Sequence, residues 1–164
     1  MGDSTKVRVG VANVEFGSVD LGYTKGFVKV SFSADSVETE VDQADAALDE
    51  VITKQNFEVT VPMAEYDLTK LADVLPGATL VENAGKIKIV MSGSSGGSLL
   101  TMAKKLVIKP VGLTANDWLT LMHAVPKPNL QFSYEKEGVR VYEITFKALV
   151  GTNGYVVWGD ETAA

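Results

Sequence analysis

The strongest constraint on the fold is a period-two alternation of apolar and polar residues along much of the chain. Val28, Val30 and Phe32, for example, alternate with Lys29 and Ser31. Such alternation is typical of strands that bury one face, and the β-branched and aromatic content agrees. The segments with this pattern are 7–11, 28–32, 37–41, 57–61, 130–134 and 142–148. The sequence therefore predicts a mainly β protein built from antiparallel strands.

Turn signals separate these strands. Glu137-Gly138 predicts a hairpin connection, Asn153-Gly154 predicts another turn, and the Gly/Ser-rich stretch 92–98 predicts a loop tip. The segment 114–125 is compatible with either a short helix or a strand.

One segment has helical spacing instead. Leu68, Leu71, Ala72 and Leu75 recur at intervals of three and four residues, and Pro76-Gly77 predicts the end of the helix. We expect one α-helix at about 64–75. Many antiparallel strands with one helix predict a β-sandwich or partly closed β-barrel with the helix on its flank.

The composition and net charge of the chain exclude several classes of function. The 164 residues contain no cysteine and one histidine, and the net charge is −6. We expect a single domain, 1–164, with no second domain and no membrane segment. The negative charge argues against non-specific binding to nucleic acid or anionic membranes. Thiolate metal sites and cysteine nucleophiles are excluded.

The sequence contains no recognisable catalytic or metal-binding motif. His123 has no second histidine or cysteine with which to bind zinc, and no Gly-x-Ser-x-Gly motif accompanies it. The acidic residues do not match the spacing of an EF-hand loop. The sequence thus predicts no enzyme activity, no cofactor and no metal site.

The most unusual feature is a run of seven acids without a base between Ser33 and Thr53. The acids are Asp35, Glu38, Glu40, Asp42, Asp45, Asp49 and Glu50. A solvated acidic strand and loop is the ordinary interpretation. The functional interpretation is that Glu38, Glu40 and Asp42 share one strand face, where they form a negative stripe facing a polyanion that must not adhere.

Several segments together resemble a known family. They are 14–28 with its Leu21-Gly22-x-Thr24-x-Gly26 pattern, the acidic strand 38–43 ending in Asp42-Gln43, the junction 59–65, and 124–149 with Ala124-Val125-Pro126. In order and spacing they resemble the major tail tube proteins of long-tailed, siphovirus-like bacteriophages.

This resemblance implies a structural virion protein made of one bare tail tube domain, with no appended immunoglobulin-like domain. It implies hexameric rings that stack into a tube through which DNA passes without specific binding. The implied partners are other copies of the chain, a tape measure protein in the lumen, and tail terminator and tail tip proteins. The implied location is the virion tail, assembled in the host cytoplasm.

The resemblance also assigns roles to the acidic run. Glu38, Glu40 and Asp42 are expected to face the lumen. A loop at about 43–56 is expected to reach the next ring, through the residues Asp45, Leu48, Asp49, Val51 and Ile52. Two alternatives remain open: an inner tube protein of a contractile injection system, and a monomeric β-sandwich that serves as a binding or decoration module.

Overall fold

The computed structural model describes residues 6, 8, 10–43, 45–93, 95–152 and 154–163, with Pro128 described by its backbone alone. The elements are β1 (Ala12–Phe16), β2 (Val19–Asp20), β3 (Lys29–Thr39), β4 (Asp49–Met63), α1 (Leu68–Val74), β5 (Ala78–Asn83), β6 (Lys86–Met91), β7 (Lys104–Pro110), β8 (Leu119–Gln131), β9 (Tyr142–Ala148) and β10 (Val156–Trp158). The mainly β prediction is confirmed.

The strands form one large antiparallel sheet and a separate hairpin. The order in the sheet is β2-β1-β7-β8-β9-β4-β3, and β10 also pairs with β8. The strands β5 and β6 pair only with each other. The inward faces of β1, β4, β7, β8 and β9 share one hydrophobic core with α1.

The large sheet curls over this core. The strands β1 and β9 are three places apart in the sheet, which is about 14 Å in a flat sheet. The rings of Phe16 and Phe146 on these strands nevertheless lie 4.9 Å apart, centroid to centroid. The sheet therefore folds back on itself as a sandwich does. It does not close into a barrel, although the Lys25 N–H donates to the Pro62 carbonyl at 3.1 Å, which joins the segment after β2 to β4.

The helix is confirmed but is shorter than predicted. It begins at Leu68, because the Asp67 side chain caps it by accepting from the Thr69 N–H at 2.8 Å. The Ala64 N–H is already committed to the Tyr23 carbonyl at 2.8 Å. Leu71 and Val74 bury the helix face against the core. No helix in the described ranges is long and apolar enough to cross a membrane.

Several strand boundaries differ from the prediction. Val7 and Val9 lie outside the described residues, and the first strand begins at Ala12, opposite Pro110, the last residue of β7. The segment 114–125 contains a short 3-10 turn at Ala115–Asp117 and then strand. Of the predicted Asn153-Gly154 turn, Asn153 lies outside the described residues, and the Gly154 N–H donates to the Gly151 carbonyl.

The predicted β8–β9 hairpin is confirmed with a longer connection. Strand β8 ends at Gln131, earlier than the predicted 134, because Phe132 leaves the ladder and packs on Tyr142, with ring centroids 5.0 Å apart. Glu137-Gly138 lies within the resulting connection.

The position of the core predicts that alanine substitutions of two phenylalanines will have very different effects on the free energy of unfolding. Phe146 is fully buried, whereas Phe27 is 91% exposed. Phe146→Ala should lower the free energy of unfolding by about 3–5 kcal/mol, because it removes apolar contacts and leaves a cavity. Phe27→Ala should change it by less than about 0.5 kcal/mol. Urea denaturation of both variants measures the difference, and equal effects would contradict the position of the core.

Candidate assembly surface

The hairpin of β3 and β4 extends well beyond the core. Near its base, Lys29–Phe32 pair with Phe57–Thr60, and β9 covers β4 only from Glu58 to Met63. Beyond that base every residue of β3 is exposed, and β4 is exposed from Asp49 to Gln55. We call residues 33–56 the arm and residues 40–48 its tip. The paired part of the arm is about 23 Å long.

The arm has two free edges within the described part of the chain. Strand β3 is the last strand of the sheet, so its outer edge has no partner strand. Strand β4 has no second partner strand on the N-terminal side of Glu58, because its pairing with β9 ends at the Glu58–Lys147 pair. A groove of about 370 Å³ runs beside this second edge, between Ile52–Gln55 and the pair Val150 and Tyr155. Free edges of this kind are templates for pairing with another strand.

Apolar side chains are exposed along the arm. Val37 and Val51 stand opposite each other and are 58% and 52% exposed, and Ile52 is 58% exposed. At the base, Trp158 is 73% exposed and its ring meets Phe57 edge-on at 6.0 Å. Val37 and Val51 lie on one face of the arm, and Ile52 lies on the other face with Phe57, so apolar side chains are exposed on both faces. Exposed apolar surface on a folded domain is typical of an interaction site.

The charges of the arm are arranged unfavourably for an isolated subunit. Glu38 stands directly opposite Glu50, and like charges in that position are destabilising. The hydroxyl of Ser36 donates to the Glu50 carboxylate and offsets part of this repulsion. Asp35 stands opposite Lys54, and Ser36 stands opposite Ile52. Thr53, which lies between Ile52 and Lys54, is the extra residue of a β-bulge.

Several of the predicted site residues lie on different elements from those that the sequence predicted. Glu38 is on β3, on the same face as Phe32, but the strand ends at Thr39, so the prediction that Glu40 and Asp42 continue the strand face is wrong. Both lie in the tip, because the Leu48 N–H closes the ladder on the Thr39 carbonyl at 2.8 Å, and Asp42-Gln43 form part of the turn.

The predicted loop at 43–56 is likewise only partly a loop. Asp45 and Leu48 belong to the tip, whereas Asp49, Val51 and Ile52 lie on β4. The roles of these residues in a lumen or between rings remain predictions. Sequence reasoning missed Phe32 and Val37 as surface residues, because an alternating pattern reports one apolar face without saying what covers it.

An ion-pair cluster fixes the base of the arm. Lys127 on β8 reaches over β9 to Glu58 on β4, with Nζ and Oε1 2.5 Å apart. The Asn56 side-chain amide also donates to Glu58 at 3.0 Å. The hydrogen bonds from Lys127 and Asn56 lower the pKa of Glu58 below its ordinary value. Strands β8 and β4 are thereby joined across β9 where the arm leaves the body.

His123 lies elsewhere. It is half-buried on β8, and its ring packs so closely on Gly151 that a Cβ there would approach it to 2.3 Å. Its Nδ1 has no hydrogen-bond partner among the described residues. Among all the residues that the structure describes, no group of three or more histidine, aspartate or glutamate side chains could hold a metal ion.

Two solved structures have a fold similar to that of this chain. No protein-family model and no curated protein matches the sequence. The chain is similar to the PVC sheath/tube terminator of an extracellular contractile injection system, with a TM-score of 0.51, 14% identity and coverage of 92% of this chain and 94% of that one. It is similar to the tube-terminating cap of the anti-feeding prophage, with a TM-score of 0.51, 14% identity and 94% of each chain covered. The fold is therefore one that tube-terminating proteins also adopt.

The Glu58 cluster predicts a pH dependence of stability. Because the pKa of Glu58 is lower in the folded chain, its contribution is complete above the unfolded value of 4.5 and is lost as the pH falls through the folded value. Glu58→Gln should lower the free energy of unfolding by about 1 kcal/mol or less at neutral pH, and the deficit should shrink at about pH 3.

Urea denaturation across this range measures the effect, with Glu82→Gln on the exposed β5–β6 hairpin as the control. A deficit that stays constant with pH would contradict the role of the Lys127 pair.

Proposed function

We propose that this chain is a structural, non-enzymatic tail subunit that assembles with copies of itself into rings, and that the rings stack into a tail tube. The observation that carries this proposal is the arm with its two free strand edges. Its outer half contributes nothing to the core of its own subunit. It therefore serves contacts that lie outside the subunit.

Edge pairing between neighbours gives a ring. The β3 edge of one arm can pair antiparallel with the β4 edge of the next, because the two strands of each arm are antiparallel. This contact joins two different surfaces, so it repeats from copy to copy until the rotation closes. It satisfies the backbone N–H and C=O groups of the two edges, and it places side chains of the neighbouring strand beside Val37 and Val51 on one face and beside Ile52 on the other. The hexameric number comes from the sequence resemblance.

The acids gain a role in such a ring. We propose that Glu38, Glu40 and Asp42 of every copy contribute to a negative lumen wall that repels a polyanion, so that DNA slides through without binding. The resemblance extends the proposal to a tape measure protein in the lumen, to terminator and tip proteins, and to a virion tail that is assembled in the host cytoplasm. Asp45, Leu48, Asp49, Val51 and Ile52 remain the candidates for inter-ring contact.

A second candidate function is a ring that terminates a tube. The names of both similar structures favour it, since one is a sheath/tube terminator of an extracellular contractile injection system and the other is a tube-terminating cap. A terminating ring uses the same lateral contact but presents only one stacking face.

Electron microscopy of the concentrated purified protein distinguishes these functions. We expect tubes many rings long, whereas isolated rings would favour the terminator. A protein that stays monomeric at the highest soluble concentration, by light scattering and by microscopy, would contradict assembly through the arm.

Shortening the arm should abolish ring formation without unfolding the body. Residues 36–53 are replaced by an Asn-Gly turn that joins Asp35 to Lys54, which stand opposite each other. The variant should be a folded monomer whose thermal midpoint stays within about 3 °C of the wild type. The control shortens the other exposed hairpin by joining Val81 to Lys88 in the same way. Rings formed by the arm variant would contradict the proposal.

Reversing the lumen charges should make the tube retain DNA. Tubes of Glu38→Lys with Glu40→Lys should bind linear DNA at about 0.1 M salt and release it as salt rises, because each new lysine neutralises phosphate. Wild-type tubes should not retain DNA. Tubes of Glu82→Lys with Glu137→Lys carry the same charge change away from the arm. Equal retention by both variants in a filter-binding assay would remove these residues from the lumen.

A further inference from the structure

An exposed cluster of aromatic rings and one arginine lies at the far end of the sheet from the arm. We call it the foot cluster; its members are Tyr66, Phe132, Tyr134, Arg140 and Tyr142. Tyr66 precedes α1, and the other four lie in or beside the β8–β9 connection. Tyr142 is buried beneath the cluster, while Tyr66, Phe132 and Tyr134 are 60%, 44% and 75% exposed.

The contacts of Arg140 hold its guanidinium in place at the surface. Its central carbon lies 4.0 Å from the ring centroid of Tyr134 and 5.9 Å from that of Tyr66. One Nη donates to the Tyr142 hydroxyl at 3.2 Å. A guanidinium has five N–H groups, so others remain for an external carboxylate, and a planar group stacked on a ring is already oriented for it. Tyrosine and arginine are also the residue types enriched in interface hot spots.

The foot cluster and the arm tip lie at opposite ends of one strand. Strand β4 begins at Asp49 beside the tip and ends at Met63, which pairs with Tyr142 of the foot cluster. Fifteen residues of strand span about 46 Å. Copies aligned along this direction therefore bring the tip of one to the foot of the next.

We propose that the foot cluster receives the acidic tip of a second copy of this chain in the adjacent ring, with Arg140 bound to a tip carboxylate. This inference rests on the proposed function and names the receiving surface for the contact between rings. The lateral contact uses backbone edges of the arm, whereas this axial contact uses side chains of the tip.

Charge complementarity selects the occupant. Residues 36–53 contain Glu38, Glu40, Asp42, Asp45, Asp49 and Glu50 and no lysine or arginine. Two such tips repel each other, so a tip needs a cationic receiver. The foot also carries the acids Glu135, Glu137 and Glu143, with Lys136 among them, so the complementarity is local and its receiver is the guanidinium of Arg140. The Ser133 hydroxyl donates to the Glu135 carboxylate at 3.0 Å and holds it within its own loop, although its charge remains.

Apolar contact supplements the charge pair. Leu48 and Val41 in the tip are 62% and 38% exposed. The exposed faces of Phe132 and Tyr134 meet edge to face at 5.5 Å and form a rigid apolar platform. Aliphatic side chains on such a platform bury area at little cost in conformational entropy.

Disulfide trapping tests the contact, since the wild type has no cysteine. Leu48→Cys in the tip is mixed with Val139→Cys beside the foot cluster, under mild oxidation. We expect a heterodimer that exceeds either homodimer. The matched control replaces Val139→Cys by Val81→Cys, an exposed valine on the β5–β6 hairpin, and should give little heterodimer. A homodimer of Leu48→Cys as the main product would show tip-to-tip contact and overturn the proposal.

A charge swap then identifies Arg140. Arg140→Glu in the Val139→Cys partner should reduce the heterodimer roughly ten-fold or more. A tip partner that also carries Asp42→Arg and Asp45→Arg should restore it, which a merely unfolded foot would not allow. Heterodimer unaffected by Arg140→Glu, or no restoration by the swapped tip, would overturn the assignment.

Microscopy of the same variants separates this inference from the proposed function. Arg140→Glu should leave rings intact and remove stacking. Stacked rings of this variant would overturn the inference while the ring proposal stands. If Leu48→Cys and Val139→Cys give the trapped heterodimer while the wild type never forms rings, the tip-to-foot contact would be supported and the ring proposal overturned.

Discussion

The structure depends on one constraint: strand β4 packs in the core toward its C-terminal end, whereas its N-terminal half pairs only with β3. From Glu58 to Thr60 it lies between β9 and β3, and from Val61 to Met63 it pairs with β9; its inward side chains in this part are fully buried. From Asp49 to Gln55 it has only β3 beside it. Backbone edges and apolar side chains that face water are a liability in a monomer and an asset in an assembly. Because Lys127 and Asn56 hold Glu58 at the boundary, the rigid half fixes the direction of the exposed half.

Local periodicity and turn chemistry predicted β3, β4, the end of β8, β9, the helix and the β8–β9 connection, whereas β1, β2, β5, β6, β7 and β10 were not predicted. Alternation at 28–32 and 57–61 correctly indicated β3 and β4. It did not reveal that one alternating segment faces a core and the next faces the outside, since Phe57 and Phe32 are equivalent in pattern and opposite in burial. The strand end at Thr39 depended on where the partner strand begins, which is information from another part of the chain. The foot cluster brings Tyr66 next to Tyr142 across 76 residues, and no local signal contains that contact.

In the proposed assembly the acidic run would have a consistent physical role. Within one subunit, Glu38 opposite Glu50 only costs stability. Between subunits the same repulsion disfavours tip-to-tip contacts, which would compete with head-to-tail stacking, and disfavours adhesion of nucleic acid. A hydrophobic tip would stack more strongly but with less discrimination among partners. The apolar Leu48 and Val41 among acids combine contact area with that discrimination.

The lateral and axial contacts of the proposed assembly use different chemistry, and this separates two properties of the fold. Lateral pairing runs through the backbone of β3 and β4, so it depends on the fold far more than on the side chains along the edges. Axial stacking runs through the side chains of the tip and of the foot cluster, so it changes with few substitutions. A subunit that keeps the arm but loses the foot cluster would still close a ring and would end a tube instead of extending it. In the proposed assembly, extending and terminating subunits would differ in the foot cluster while sharing one architecture, and an Arg140 that binds the tip of the next copy would be the mark of an extending subunit.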